Sequence, residues 1–435
     1  MQLNKHANSN SIRDKLALAT CTLLQAAAPT AQAADGDWDI KSALMVYSES
    51  DSRVTAIEPV VSGKKEVNED EYLTLKLVLD SLTGATPNGA HASSQTQTFT
   101  SPSGHKSYTT AAGETPLDDT FHDSRVALSA SYDMPIIDNL SRIIMSGNVS
   151  SEYDYQSLGL SATFLRDFNN RNTTFSAALG FNSDSIDPVG GVPVPFTNMR
   201  VAGADISDTR DGSSDTKTIT DLMVGITQVI NRRTLMQFNL GLSNTSGYQN
   251  DPYKILTVVD PVTGLPIAQS GDNLPYLYES RPDSRSRQTF YWKTVHHLDE
   301  DVINFAYRYY TDDWDITSHT LDLHYRYELG GGSYLQPHVR YYTQTAAEFF
   351  HTSLVDGDPL PQYASADYRL GEFTTTTLSL KYATPTGRNS EFSMRGEVIT
   401  QAQQDVGTAI GDQLNQDLTP DLDSFIFQVG YAFRW

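Results

Sequence analysis

The last thirteen residues, 423–435, read Asp-Ser-Phe-Ile-Phe-Gln-Val-Gly-Tyr-Ala-Phe-Arg-Trp, and their alternation decides the fold. Every second position is large and apolar: Phe425, Phe427, Val429, Tyr431, Phe433 and Trp435. Apart from Ile426, the positions between them are small or polar. Because successive side chains of a strand point to opposite faces, this period of two predicts a strand with one apolar face.

The same alternation recurs upstream, where leucines and tyrosines from Leu321 to Tyr327 alternate with charged residues from Asp322 to Glu328. Several such runs continue for ten or more residues. Strands of soluble proteins average about 5–6 residues, whereas a tilted strand needs about 9–11 residues to cross a bilayer. Apolar groups on one face and charges on the other are typical of a membrane β-barrel with a polar lumen. A secreted soluble all-β protein is the alternative, and the length of the runs argues against it.

The composition narrows the classes of protein further. The chain has 435 residues, a net charge of −22 and one cysteine. An acidic chain lacks the basic face that nonspecific binding of nucleic acid requires. No apolar run reaches the roughly 18 residues of a membrane helix, and one cysteine excludes both a disulfide scaffold and a CxxC zinc site.

Residues 1–33 have the features of a cleaved export signal. Lys5, Arg13 and Lys15 form a basic segment, an apolar segment follows from Leu16 to Ala28, and residues 31–33 read Ala-Gln-Ala. Small residues at this spacing match a signal-peptidase site. We expect cleavage after Ala33, which leaves residues 34–435 as a single mature domain in an oxidising compartment. Lipidation at Cys21 is the alternative, but Thr20 is bulky for the preceding position.

The pattern predicts an all-β fold, an antiparallel transmembrane β-barrel of about sixteen strands, roughly 14–18. The predicted strands are 38–48, 53–61, 71–82, 124–134, 141–152, 153–165, 170–182, 217–231, 232–246, 287–297, 300–310, 316–328, 333–345, 371–384, 388–401 and 423–435. Tight turns alternate with the long polar connections 83–123, 183–216, 247–286 and 346–370. In bacterial barrels short turns face the periplasm and long loops face outward, so both termini are expected in the periplasm.

One hairpin permits a prediction of register. If residues 330–332 form a three-residue loop, Leu329 pairs with Ser333 and His324 opposes His338. Asp322 then opposes Arg340 as a favourable pair of charges, and Leu323 meets Val339 on the lipid face. A slip by one residue would put Arg340 into lipid, at a cost of roughly 2–4 kcal/mol near the midplane.

Ten polar side chains fall on predicted inward faces of the strands. These lumen-facing candidates are Lys293, Arg308, Asp322, His324, Arg326, His338, Arg340, Lys381, Arg395 and Glu397. Their charges fit two roles equally well. They could tune ion selectivity, or the basic groups could pair with Asp322, Glu328 and Glu397 to fill and stiffen the lumen.

Two groups of residues resemble metal sites only superficially. His296 and His297 are adjacent on a strand, so their side chains point to opposite faces and do not readily share an ion. The aspartates between 205 and 215 lack the spacing and the closing Glu of an EF-hand loop. The sequence also contains no nucleophile elbow and no HExxH. We therefore expect no catalytic residues, no cofactor, no metal and no enzymatic activity.

The final aromatic residues have a second interpretation. Tyr431, Phe433 and Trp435 resemble the terminal signal that outer-membrane assembly machinery recognises, although Phe is the usual last residue. An ordinary aromatic strand is the alternative. The first interpretation gives the chain two partners, the assembly machinery and the outer-membrane lipids.

Several motifs resemble one Gram-negative family of outer-membrane barrels catalogued only as a domain of unknown function, DUF3570. The motifs are Tyr47-x-Glu49 with Asp51 and Arg53, Asp80 to Gly89, Arg281-Pro282-x-x-Arg285, Tyr307 to Ile316, Ser318-His319-Thr320, and Pro337-x-x-Arg340-Tyr-Tyr-Thr-Gln344 with Phe349. The resemblance covers nearly all of the mature chain. It implies a barrel in the outer membrane, and it carries over no catalytic residues.

Three functions are open at this point. The first is a porin-like channel for small solutes or ions, narrowed by long loops that fold inward, because barrels of this size commonly enclose water. The second is a scaffold that docks a periplasmic or lipoprotein partner in an envelope or redox system. The third is an outer-membrane hydrolase, which no motif supports.

Overall fold

The computed structural model describes residues 38–50, 53–84, 87–93, 96–100, 107–114, 116–117, 121–201, 203–267, 271–404, 409–416, 418–419 and 421–435. The predicted signal peptide lies outside these residues. The strands are β1 (Trp38–Glu49), β2 (Val54–Asn68), β3 (Glu71–Gly84), β4 (Gln97–Thr100), β5 (Ser107–Thr110), β6 (His122–Ile136), β7 (Asp138–Ser151), β8 (Tyr155–Phe168), β9 (Thr173–Ile186), β10 (Asn198–Arg200), β11 (Asp215–Asn231), β12 (Thr234–Gly247), β13 (Ile255–Val259), β14 (Asn273–Tyr278), β15 (Ser284–His297), β16 (Val302–Asp312), β17 (Thr317–Gly330), β18 (Ser333–Gln344), β19 (Ser353–Val355), β20 (Phe373–Gly387), β21 (Ser390–Gln403) and β22 (Leu422–Arg434). Short 3₁₀ turns occupy Ser207–Thr209, Tyr368–Leu370 and Gly411–Asn415.

Sixteen of these strands form one closed antiparallel barrel in the order β1-β2-β3-β6-β7-β8-β9-β11-β12-β15-β16-β17-β18-β20-β21-β22. The barrel closes where β1 pairs with β22, from Asp39 opposite Arg434 to Glu49 opposite Ser424. Trp38 and Trp435 exchange two backbone hydrogen bonds at the end of this seam. Closure leaves no sheet edge with unpaired backbone groups, which is the condition for a sheet to lie in hydrocarbon.

The outer face of the barrel is apolar, as the alternation predicts. Leu160 is 62% exposed, Leu179 is 58% exposed and Leu380 is 51% exposed, although all three lie in the middle of long strands. Phe427 and Leu323 are exposed on the same outer face. An apolar face of this kind requires a nonaqueous neighbour, because soluble proteins rarely expose continuous apolar surface.

The predicted sixteen-stranded antiparallel barrel is confirmed, and each of the sixteen barrel strands overlaps one predicted range. The largest error is in β2, which continues to Asn68 rather than 61. The adjacent charges of Lys64 and Lys65 interrupt the apolar alternation, so the sequence does not indicate this continuation. In the structure, Lys64 lies close to the Tyr72 ring and Lys65 lies close to the Trp38 ring. Strand β9 begins at Thr173 rather than 170, because Asn169, Asn170 and Arg171 form a turn with positive φ angles.

The predicted hairpin register between β17 and β18 is confirmed in its middle and wrong at its turn. Asp322 opposes Arg340, Leu323 opposes Val339 and His324 opposes His338. The loop, however, has two residues, because Gly330 pairs with Ser333 and a bulge follows Glu328. Gly330, Gly331 and Gly332 all have positive φ, a backbone conformation that glycine adopts without steric cost. The bulge absorbs the extra residue and so preserves the register further along the strands.

The long connections fold together over one end of the barrel, which we call the cap end; the opposite end is the turn end. A four-stranded sheet in the order β10-β14-β13-β19 forms the centre of this cap, and β4 pairs with β5 beside it. The connections are tied to one another. Lys254 Nζ donates to the carbonyl of Pro87, and Gln413 Nε2 donates to Ser353 Oγ. Within the described residues, no helix has the length and hydropathy to span a bilayer.

The cap has hydrophobic cores of its own. Strand β13 is buried along its whole length. Its Ile255 packs in a cluster with Phe99 and Tyr276, while Leu256 and Val258 pack in a second cluster on the other face. A third cluster surrounds Trp314, Phe349, Phe350 and Leu370, where the cap joins the barrel. Each fully buried large apolar side chain stabilises the cap by roughly 1.5–3 kcal/mol, so the cap is a packed unit rather than a set of solvated loops.

The orientation of the two barrel faces can be tested at neighbouring positions in the middle of β20. We expect Leu380→Arg to destabilise the folded barrel by roughly 2–4 kcal/mol, because the substitution places a charge in hydrocarbon. Ser379→Arg is the matched control, because it projects toward the lumen, opposite Glu397. The measurement is the folded fraction after refolding into lipid vesicles, from heat-modifiable gel mobility. Equal folding of the two variants would contradict the assigned faces.

Candidate functional site beneath the cap

A cavity of about 750 Å³ lies where the lumen meets the cap. Barrel residues such as Arg308, Thr320 and Arg340 line it from below, and cap residues such as Pro252 and Leu370 line it from above. Six cations border it: Lys217, Arg281, Arg285, Arg308, Arg340 and Arg369. Four acids border it: Glu152, Asp154, Asp251 and Asp367. The cavity is therefore the candidate site, with its shape set by both the barrel and the cap.

A buried network of charges forms the roof of the cavity. Arg281 lies 2.7 Å from Glu279 and 2.9 Å from Asp367. Arg369 also contacts Asp367, and it reaches Asp251 at 2.7 Å. Glu279 accepts further hydrogen bonds from the Asp251 backbone N–H and the Ser365 hydroxyl. Removing one partner would leave another charge buried and unpaired, which is strongly destabilising. The network therefore fixes two connections of the cap, the one before β15 and the one before β20, in one arrangement.

Burial and neighbouring charges shift the pKa values of the groups in this network, and for its acids the two effects oppose each other. Burial raises the pKa of the Glu279 carboxyl to about 7, although Arg281 opposes the shift. Burial also acts to raise the pKa of Asp367, but the positive charges of Arg369 and Lys254 hold it well below its usual range. Burial lowers the pKa of the Lys254 ammonium. Glu279 is thus the acid of this network that changes charge near neutral pH.

A second set of contacts joins the cap to the barrel rim. Arg285 Nε donates to Asp312 Oδ2 at 2.8 Å, and its guanidinium lies 4.1 Å from the centre of the Trp314 ring. Asp312 Oδ1 also accepts the backbone N–H groups of Trp314 and Ile316, each at 3.0 Å. The ring of Trp314 then packs edge-on against Phe349, with their centroids 5.1 Å apart. The short turn after β16 therefore connects the cap to the barrel rim.

Two of the predicted lumen-facing residues, Arg308 and Arg340, lie on the wall of the cavity. Neither guanidinium has a carboxylate within 4.0 Å among the described residues, in contrast to Arg281, Arg285 and Arg369. Arg308 lies 5.8 Å from the centre of the Tyr291 ring. These two arginines therefore supply positive charge to the cavity wall that no ion pair among the described residues offsets.

The other predicted cations lie further toward the turn end or lower on the wall. Arg326 Nε donates to Glu328 at 2.5 Å and stacks over the Tyr334 ring at 3.8 Å. The ammonium of Lys381 lies 5.4 Å from the centre of the same ring. Arg395 is 3.6 Å from Glu397, and Lys293 lies opposite Gln237 and Ala306 on the adjacent strands. Their role in selectivity stays a prediction.

The expected ion pair between Asp322 and Arg340 does not form, although the two residues are opposite each other. The Asp322 carboxylate instead contacts His324 Nε2 at 2.8 Å and His338 Nε2 at 3.1 Å. The physical reason is the position and length of the side chains. The imidazoles lie one step away on the same face, whereas the long Arg340 side chain extends to the cavity.

The groups that resembled metal sites in the sequence make other contacts. His296 Nδ1 bonds to the Thr234 hydroxyl, and His297 Nδ1 bonds to the Leu298 carbonyl. Asp208 pairs with Arg200 at 2.6 Å. Elsewhere Asp123, Glu152 and Asp154 bring carboxylate oxygens within 4.8 Å of one another, close to the side chain of Arg125, which is 3.9 Å from Glu152.

The aromatic end of β22 lies at the turn end of the barrel, where it pairs with the start of β1. The rings of Tyr431 and Phe433 have centroids 5.6 Å apart, and Trp435 is 57% exposed. Their role as an assembly signal stays a prediction.

Sequence reasoning missed most of the cap network. Lys254, Glu279, Asp367 and Arg369 lie in connections that the pattern marks only as long and polar. The one available signal was the Arg281-Pro282-x-x-Arg285 motif of the family resemblance, in which both arginines form buried ion pairs.

Comparison with known proteins identifies the family to which the chain belongs. The model of the family described as "Protein of unknown function (DUF3570)" matches residues 13–433, so the family named from the sequence is confirmed. Among curated proteins, no sequence match is found.

Comparison with solved structures finds matches at very low identity. A bacterial polysaccharide outer membrane secretin is 6% identical with a TM-score of 0.43, and the alignment covers 93% of this chain and 100% of that one. The TodX monoaromatic hydrocarbon channel deltaS2 mutant is 9% identical with a TM-score of 0.41, covering 93% and 91%. Pseudomonas aeruginosa OpdK with vanillate is 8% identical with a TM-score of 0.40, covering 92% and 99%.

The raised pKa of Glu279 predicts how cap stability depends on pH. Between about pH 4.5 and 7 the folded cap binds a proton that the unfolded chain does not, so stability falls as pH rises through this window. The effect is about 3 kcal/mol at most, at 1.36 kcal/mol per pKa unit. We expect greater hydrogen-exchange protection of residues 251–283 at pH 5 than at pH 7.5, after correction for intrinsic exchange rates.

Glu279→Gln should reduce this pH dependence, because the amide does not titrate. Glu348→Gln is the matched control, since Glu348 is an exposed glutamate of the same cap. An unchanged pH dependence in Glu279→Gln would show that another group controls the cap.

Proposed function

We propose that this chain, which belongs to the family described as Protein of unknown function (DUF3570), is an outer-membrane barrel that conducts small anionic solutes through a lumen restricted by its cap. The observation that carries the proposal is the pair of arginines, Arg308 and Arg340, that face the cavity and have no carboxylate within 4.0 Å in the part of the chain that the structure describes.

The apolar outer face supports the membrane location. Exposed leucines and phenylalanines surround the barrel, among them Leu160, Leu240, Leu378 and Phe425. The closed sheet also provides hydrogen-bond partners for its own backbone groups. Both features are needed in hydrocarbon and neither is needed in water. In this orientation the turn end and both termini face the periplasm, and the cap faces outward.

The cavity supports selection of small anions. Its volume lies within the range of about 300–1,000 Å³ that is usual for small-molecule sites. The ion pairs of Arg281, Arg285 and Arg369 cancel much of their own charge, so Arg308 and Arg340 dominate the field on the lower wall. Positive charge in a confined, weakly screened space raises the local concentration of anions.

The cap supports restricted rather than free diffusion. Its hydrophobic cores and buried ion pairs occupy the cap end of the barrel. Solutes must therefore pass around it, or it must move. This arrangement supports the proposal that the long connections narrow the channel.

Selectivity gives a direct test in planar bilayers. At an effective dielectric constant of about 40, a unit charge about 8 Å from the path shifts the energy of a passing anion and of a passing cation by about 1 kcal/mol each, in opposite directions. Its removal therefore changes the anion-to-cation permeability ratio by up to about thirtyfold. We expect Arg308→Gln and Arg340→Gln each to lower the anion-to-cation permeability ratio by about this factor. The measurement is the reversal potential in a salt gradient.

Arg233→Gln is the control, because Arg233 is exposed at the turn end and pairs with Asp299. It should leave the reversal potential unchanged. A wild-type barrel without conductance steps, or a cation-selective one, would refute the proposed function.

A further inference from the structure

A second site lies on the lumen wall, where β17 and β18 bring two histidines and an aspartate together. His324 and His338 form a directly opposed cross-strand pair. Asp322 precedes His324 by two residues, so both project from the same face of β17. The two imidazole rings stack in parallel, with centroids 3.9 Å apart and planes at 5°.

From this geometry we propose that Asp322, His324 and His338 bind a divalent transition-metal ion, of which Zn²⁺ is the natural probe. One carboxylate is shared between the two rings: Asp322 Oδ1 is 2.8 Å from His324 Nε2, and Asp322 Oδ2 is 3.1 Å from His338 Nε2. One ligand atom from each residue lies within 4.8 Å of the others. Small side-chain rotations can therefore bring all three to the roughly 2.0–2.2 Å of zinc coordination.

The donor set selects the class of metal. Two imidazole nitrogens and one carboxylate oxygen suit Zn²⁺, Ni²⁺, Co²⁺, Cu²⁺ or Fe²⁺. Ca²⁺ requires six to eight oxygen ligands, and Mg²⁺ requires a nearly octahedral shell of oxygens. Three protein ligands also leave one coordination position of a tetrahedral ion open to the lumen. The site therefore fits a metal that exchanges or carries a further ligand, rather than a closed structural ion.

The imidazole protons can be placed on the ring nitrogens that do not bind the metal. Each neutral imidazole must present the Nε2 lone pair to the metal and carry its proton on Nδ1. Gln336 already lies beside His324, with its Nε2 3.2 Å from His324 Nδ1. Rotation of this amide presents Oε1, which accepts a hydrogen bond from the His324 Nδ1–H, and such outer hydrogen bonds orient the histidine ligands of metal sites.

The surroundings keep the site accessible and limit its affinity. The exposed fractions of the three side chains are 26% for Asp322, 29% for His324 and 12% for His338, so water in the lumen reaches them. Arg340 lies opposite Asp322 and Lys381 lies opposite Gln336, and both cations disfavour a bound cation. The ligands, by contrast, are on rigid paired strands, which preserves their geometry before the metal binds.

The proposal is tested by metal binding to the refolded full-length barrel, purified without a histidine tag. We expect one equivalent of Zn²⁺ by equilibrium dialysis at pH 7.5. Co²⁺ should give the intense visible bands of tetrahedral coordination. Binding should weaken on acidification, because protons compete with the metal ion for the ligand atoms.

Variants separate this site from adventitious binding. His324→Asn and His338→Asn should each abolish the stoichiometric equivalent and the Co²⁺ bands, and Gln336→Leu should weaken binding about tenfold. The double variant His296→Asn with His297→Asn is the matched control, since it removes two histidines elsewhere on the barrel and should bind like wild type. Heat-modifiable mobility verifies that each variant folds.

Two outcomes would overturn the proposal: no stoichiometric Zn²⁺ on the folded wild-type barrel, or full binding by His324→Asn and His338→Asn. The readout is independent of conductance, so the metal site and the anion channel can fail separately.

Discussion

The structure depends on one constraint, the pairing of β1 with β22. A sheet in hydrocarbon has no water to satisfy an exposed edge, so every backbone N–H and C=O of the terminal strands needs a partner. The seam supplies these partners from Asp39 opposite Arg434 to Glu49 opposite Ser424. It joins residues nearly four hundred positions apart. The charged inner face, the cavity and the cap all presuppose this closed cylinder.

Much of the barrel was predictable because the period of two is a local property of each strand. Once one face must be apolar, a slip of one residue exchanges the faces, and this fixes the register of Leu323 against Val339. The bulge after Glu328 was not predictable, because three consecutive glycines permit more than one turn. The contacts of Asp322 were equally hidden, since they depend on side-chain reach rather than on spacing.

The cap was not predictable from the sequence because its contacts are non-local. Arg281 and Asp367 come from different connections, separated by four barrel strands and three turns, yet they lie 2.9 Å apart. Such pairs leave no periodic trace, and the connections that contain them show only an excess of polar and small residues. The motifs of the family resemblance point to this region: Glu49 with Arg53, and Arg285 with Asp312, are paired at the cap end.

The inner wall therefore carries two kinds of charge chemistry at different levels. Toward the cap, Arg308 and Arg340 have no carboxylate within 4.0 Å among the described residues, whereas Asp312 pairs with Arg285, and Asp367 pairs with Arg281 and Arg369. One step toward the turn end, Asp322 binds two imidazoles rather than Arg340. The contact of Asp322 with the two histidines rather than with Arg340 is relevant to both kinds of charge chemistry. Because Asp322 contacts the two histidines, Arg340 makes no ion pair with it and extends to the cavity, so the contacts of Asp322 contribute both to the nitrogen–oxygen cluster and to the positive charge of Arg340 on the cavity wall.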